Sequence, residues 1–130
     1  MIAEIYLLDT NAAIPLLNGD PTIDKIVNAA AEIFIPVTVI GELYFGAENS
    51  GRVTLNIKRV EEFANQYAIL LCDVLTAREY GRIERLLKVK GRRVPENDMW
   101  IAAIALQHGL TLLTRDAHFK EVDGLTVQGW

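Results

Sequence analysis

The stretch IYLLDTNAAI, residues 5–14, places an aspartate directly behind an apolar run and directly before a helix-like segment. Residues 5–8 read as a short strand, too uniformly apolar to carry a solvated face. Residues 10–17 then show helical spacing through Ala13, Leu16 and Leu17, with Pro15 acceptable only near a helix start. Asp9 stands at the junction. A buried, unpaired carboxylate there costs several kcal/mol unless hydrogen bonds or a cation compensate it, as an order of magnitude. Either Asp9 caps the helix or it belongs to a site.

Working outward, the same alternation repeats. Gly19-Asp20-Pro21 is a break. Residues 22–31 carry Ile23, Ile26, Val27 and Ala30 at helical spacing, and residues 33–37 are a second apolar run. Thr38 is a candidate cap for the helix holding Gly41, Glu42 and Leu43, and Gly51 separates it from an amphipathic helix over about residues 53–67. Residues 68–72 predict a third strand ending at Asp73, residues 76–89 a basic helix, and residues 91–95 a loop. A helix begins at Asn97 or Asp98 and runs to Gln107, stopped by Gly109. Residues 110–113 predict a fourth strand ending in Thr114-Arg115-Asp116, and residues 125–128 a last, edge strand. Short apolar strands alternating with helices indicate an α/β fold, a mostly parallel sheet of about five strands between two helical layers. The pattern needs only one domain, spanning residues 1–130.

Composition narrows the function classes. The 130 residues are 51% hydrophobic and 23% charged, the balance of a folded domain with one core. No apolar run reaches the roughly 18 residues of a membrane helix. Glu4 and Asp9 interrupt the N-terminal apolar stretch where a signal peptide requires continuity. The lone Cys72 has no internal disulfide partner, and a cytoplasmic protein is expected. The net charge of −4 argues against a polyanionic partner, but the charge is unevenly spread. Between residues 78 and 93 lie Arg78, Arg82, Arg85, Lys88, Lys90, Arg92 and Arg93 against only Glu79 and Glu84. That strip is either a solvated helix face or a set of phosphate contacts, with Arg82, Arg85 and Arg92 as candidates.

In parallel sheets ligands bind beyond the carboxyl ends of the strands. Asp9 follows the first strand and Asp116 the fourth, while Glu42 and Asp98 fall in the first turns of helices that can face the same edge. Singly, these acids read as caps, dipole partners or turn formers. Their contexts LLDTN, VIGEL, NDMWIAA and LLTRD are apolar or small, which argues for burial. Four converging carboxylates require a cation, and an all-oxygen set selects Mg2+, with Mn2+ as a substitute. Zinc spacing is absent, with one Cys and only His108 and His118. Such a cage suits phosphodiester hydrolysis by metal-activated water. Setting the four aside from the 17 acids leaves as many acids as the 13 basic residues, so the remaining surface need not repel a polyanion.

Taken together, LLDTN with Asp9, VIGELYFGA with Glu42, PENDMWIAAIA with Asp98 and LLTRDAHF with Asp116 resemble the PIN domain family, and within it the VapC-type toxins of toxin–antitoxin pairs. The resemblance extends from residue 5 to about residue 119. It implies a Mg2+-dependent endoribonuclease leaving a 5′-phosphate and a 3′-hydroxyl. It also implies a homodimer, and a cognate antitoxin that threads a peptide across the acidic groove. On this resemblance Asp9 and Asp98 match the principal metal ligands, Glu42 the acid completing the cage, and Asp116 the more variable fourth acid. Thr114 matches a hydroxyl position that hydrogen-bonds a carboxylate or bound water, and Asn11 is a candidate for the same role.

Two other functions remain open at this level. One is a non-catalytic RNA- or protein-binding module on the same fold. The other is a phosphohydrolase using Asp9 as a covalent nucleophile, although Asn11 stands where such enzymes commonly place a second acid. His118 reads as a surface-loop residue, His108 as a helix C-terminal dipole partner, and Tyr44, Phe45 and Trp100 as core or dimer packing. Asp73 ends a strand but matches no position of the family pattern.

Overall fold

The computed structural model describes residues 4–130. In chain order the elements are β1 (Ile5–Leu8), α1 (Thr10–Leu17), α2 (Pro21–Ala29), β2 (Glu32–Pro36), α3 (Val37–Glu48), α4 (Val53–Gln66), β3 (Ala68–Leu70), α5 (Val74–Lys90), α6 (Glu96–His108), β4 (Thr111–Leu113) and β5 (Val127–Gln128). A short 3-10 turn over Ala117–Glu121 connects β4 to β5. The strands form one five-stranded sheet in the order β3-β2-β1-β4-β5, and every pairing is parallel. Leu7 pairs with Phe34 on one side and Leu112 on the other. Leu7 and Leu8 point to opposite faces and are both fully buried, so helices cover both sides of the sheet. The three-layer α/β/α arrangement is the one expected from the alternation of strands and helices.

Local chemistry sets most element ends. Asp20 accepts from the Thr22 N–H ahead of Pro21, a proline suited to the first helical position. Asp73 and Thr76 form a reciprocal capping box that starts α5. Gly91 and Gly109 close α5 and α6 with positive φ, 68° and 63°, the left-handed conformation that glycine adopts without steric cost. Helix α6 is the central buried helix. Five consecutive residues, Ile101 to Ala105, are buried, and the alanines among them allow close packing on all sides.

Several expectations need correction. Pro15 lies inside α1 rather than near its start. Its missing N–H frees the Asn11 carbonyl, and α1 ends two residues later. Thr38 is not the cap of α3: the helix begins at Val37 behind Pro36, and the buried Thr38 hydroxyl has no hydrogen-bond partner among the described residues. β3 stops at Leu70, because the chain leaves the sheet edge toward the Asp73 cap, exposing Leu71 and Cys72. Phe45 is 72% exposed, so it lies outside the core, whereas Tyr44 packs against the core. Trp100 stacks on Tyr80, with centroids 4.2 Å apart.

Candidate active site

From β1 the chain adds strands on one side through β2 and β3, then returns to place β4 on the other side of β1. The strand order therefore reverses between β1 and β4. Beyond the carboxyl ends at such a point the connections diverge and leave a crevice. Asp9 follows β1 immediately, and Thr114 and Asp116 follow β4.

Asp9 caps α1 and also accepts a hydrogen bond from a distant segment. Its Oδ1 accepts the Ala12 N–H at 2.8 Å, which makes it the N-cap of α1. Its Oδ2 accepts the hydroxyl of Thr114. The residue is 2% exposed, and its carboxyl pKa is pushed up to about 6. Burial is the main cause. The hydrogen bonds from Thr114 and Ala12 oppose it, and the charges of Asp98 and Asp116 add to it. This seat disfavours a covalent aspartyl nucleophile. The carboxylate is enclosed, whereas displacement at phosphorus requires an open in-line approach that a small cation meeting a free lone pair does not.

Asp98 projects from the first turn of α6, and its pKa is also raised, first by burial and then by Asp116, with Glu42 contributing and His118 opposing. Nδ1 of His118 lies 3.0 Å from Oδ1 of Asp116 and 3.6 Å from Oδ2 of Asp98. One ligand atom from each of Asp98, Asp116 and His118 lies within 4.8 Å of the others. The backbone holds this group in place. Asp116 Oδ1 accepts the His118 N–H at 2.9 Å and caps the 3-10 turn, whose next residue, Phe119, is buried in the core. On the opposite flank, Oε1 of Glu42 accepts the Thr10 hydroxyl at 2.5 Å and also the side-chain amide of Asn97.

The four anticipated acids thus lie at one edge of the sheet, with Asp98 sensing both Asp116 and Glu42. Thr114 hydrogen-bonds a carboxylate, donating to Asp9, and in addition accepts the Asp116 N–H at 2.9 Å. Asn11 does not: its side chain is exposed and makes no hydrogen bond to the acids, and Thr10 and Asn97 hold Glu42 instead. His118 lies within the site rather than on an uninvolved surface loop. The sequence signal for all three is modest: Thr10 and Asn97 directly adjoin site acids, and His118 follows Asp116 at the i+2 spacing of a turn. Arg115, between two site residues, is engaged elsewhere, with its guanidinium 3.6 Å over the Trp130 ring.

The basic strip lies on α5 and the loop after it. Arg82 pairs with Glu79 at 2.8 Å and Arg92 approaches Glu121 at 3.6 Å, while Arg85 is exposed and makes no ion pair among the described residues. Lys88, Arg92 and Arg93 line a groove of about 450 Å³ that reaches Glu96, two residues before Asp98. A second groove, about 290 Å³, runs between α1, α3 and α4 past Ile14, Leu43 and Arg59, with Glu42 in its wall.

The donor chemistry fits a hard or borderline divalent cation. Carboxylate oxygens come from four elements, and several are oriented by hydrogen bonds that leave lone pairs free. Among the described residues no helix is long and apolar enough to cross a membrane.

Comparison with known proteins agrees with this arrangement. The PIN domain profile matches residues 6–125. Ribonuclease VapC2 of Haemophilus influenzae is 31% identical over 128 residues, covering 96% of this chain and 97% of its own. The crystal structure of DNA-bound VapBC from Salmonella typhimurium includes a chain that superposes with a TM-score of 0.91 at 29% identity, over 100% of this chain and 99% of that one. VapBC-1 from nontypeable Haemophilus influenzae gives a TM-score of 0.88 at 29% identity, over 97% and 98%.

Proposed function

The chain belongs to the PIN domain family, and from that premise we propose that it is a cytoplasmic, single-domain endoribonuclease toxin of a toxin–antitoxin pair, dependent on Mg2+ or on Mn2+ in its place. The observation that carries the reading is the placement of Asp98, Asp116 and His118 beside the buried, Thr114-bonded Asp9 at the reversal point of the sheet. Asp9, Glu42, Asp98 and Asp116 would hold the cation. When bound, it supplies Lewis acidity toward water and offsets charge on the scissile phosphate. The protein's own residues orient the donors. Thr114 fixes Asp9, Thr10 and Asn97 fix Glu42, and the 3-10 turn fixes Asp116.

RNA is the substrate the similarity to ribonuclease VapC2 supports, and Arg82, Arg85 and Arg92 would contact its phosphates on the way to the acids. The similarity to chains of VapBC assemblies supports a cognate antitoxin as partner. The groove that includes Glu42 would take the inhibitory peptide. The exposed Leu71, Val74 and Leu75 supply an apolar patch suited to a homodimer contact. The test is direct. Purified protein is incubated with structured RNA in chelator, then with Mg2+ or Mn2+ restored. Endonucleolytic products bearing 5′-phosphates, formed only with the cation, are expected. Binding of RNA without cleavage in any cation would leave the non-catalytic reading standing.

A further inference from the structure

We propose that His118 is itself a ligand of the cation, so that the site is a mixed oxygen and nitrogen set that binds Mn2+ more tightly than Mg2+. This rests on the cation-dependent reading of the acidic site and assigns it a donor that the four-acid pattern lacks. The geometry is that of neighbouring ligands on one ion. Donors at right angles on bonds of about 2.1 Å are separated by about 3.0 Å. Nδ1 of His118 stands 3.0 Å from Oδ1 of Asp116 and 3.6 Å from Oδ2 of Asp98.

Backbone structure, not chance contact, sets that position. The His118 N–H is bonded to Asp116 at 2.9 Å, and Phe119, 1% exposed, anchors the same turn in the core. The imidazole is 53% exposed, so the rest of the ring faces water, and among the described residues only Asp116 and Asp98 pair with Nδ1. Imidazole nitrogen is a borderline donor suited to first-row transition ions, whereas Mg2+ favours oxygen and dehydrates reluctantly. One such donor among carboxylates shifts relative affinity toward Mn2+ without excluding Mg2+.

The experiment uses the full chain loaded with Mn2+ and read by electron spin-echo envelope modulation, with and without 15N-histidine labelling. The chain has two histidines, and His108 lies at the far end of α6, about 15 Å from Asp98 at 1.5 Å per residue. A histidine signal from the bound ion therefore reports His118. We expect nitrogen modulation that changes isotope on labelling and vanishes in His118→Gln. Calorimetric titration should show the preference for Mn2+ over Mg2+ falling by about tenfold or more in that variant, with Mg2+ affinity little changed. Mn2+ bound to wild type without nitrogen modulation overturns the inference and leaves the acidic cation site intact. Failure of wild type to bind either ion overturns both.

Discussion

The Thr114 hydroxyl donates to Oδ2 of Asp9, joining residues 105 apart in the chain. The Thr114 hydroxyl oxygen also accepts the Asp116 N–H at 2.9 Å, so one side chain sets two site acids. Thr114 is 5% exposed. Thr114→Val keeps the shape but strips the hydroxyl from a place with little water. It should destabilise the fold by about 1–3 kcal/mol, and Thr114→Ser should recover most of that loss. Urea denaturation of the three proteins checks this. A valine variant as stable as wild type would contradict the bridge.

Asp9 predicts a pH dependence with a definite sign. Its pKa rises from 3.8 to about 6 on folding, chiefly through burial. Below pH 3.8 both states hold the proton and Asp9 costs nothing. Between there and pH 6 the native state binds the proton more tightly, so stability falls as pH rises, and above pH 6 the full penalty remains. That rise corresponds to roughly 3 kcal/mol. The raised pKa of Asp98 acts in the same direction. Asp9→Asn retains the capping oxygen and should melt higher than wild type at pH 7 in chelator. Saturating Mn2+ should raise wild type more than the variant, because an ion bound only by the native state stabilises it. Equal melting of the two proteins in both conditions would make Asp9 a cap alone.

Glu42 depends on residues outside the four acids. Asn97→Ala removes the amide that helps Thr10 hold its carboxylate. Cation affinity should drop about tenfold, the scale of losses when groups that orient ligands are removed. Raising the cation concentration should restore cleavage. A loss of cleavage unaffected by added cation would assign Asn97 another task.

The basic residues are not equivalent. Arg82 and Arg92 already face Glu79 and Glu121, whereas Arg85 is exposed without an ion pair among the described residues. Arg85→Glu should therefore weaken RNA binding more than Arg82→Glu and reduce the slope of log affinity against log salt by about one contact. Titrations at several salt concentrations measure it. An unchanged slope would make α5 a solvated face.

Much of this was legible because local chemistry and burial coincide. LLDTN announces a buried strand and a carboxylate at its end, Gly109 announces a helix stop, and the alternation of runs announces a parallel sheet. What was hidden depends on contacts between distant segments. The bond between Thr10 and Glu42 spans 32 residues and that between Asn97 and Glu42 spans 55, and no periodicity reports such pairs. Asn11 and Thr10 are both polar neighbours of Asp9, and only the start of α1 decides which one meets Glu42. His118 looked like a surface residue because it largely is one, at 53% exposure; the turn capped by Asp116 is what brings its ring to Asp98. Thr38 had the chemistry of a cap, but the helix begins one residue earlier.

The central claim is that the acids at the ends of β1 and β4 and at the start of α6 form one cation-dependent nuclease site. Cleavage of RNA by Asp98→Asn tests it most directly, since that change removes a ligand charge from the middle of the cluster at nearly constant volume. The variant should retain the wild-type circular dichroism spectrum and lose cation-dependent cleavage. Undiminished cleavage by the purified variant would contradict the account.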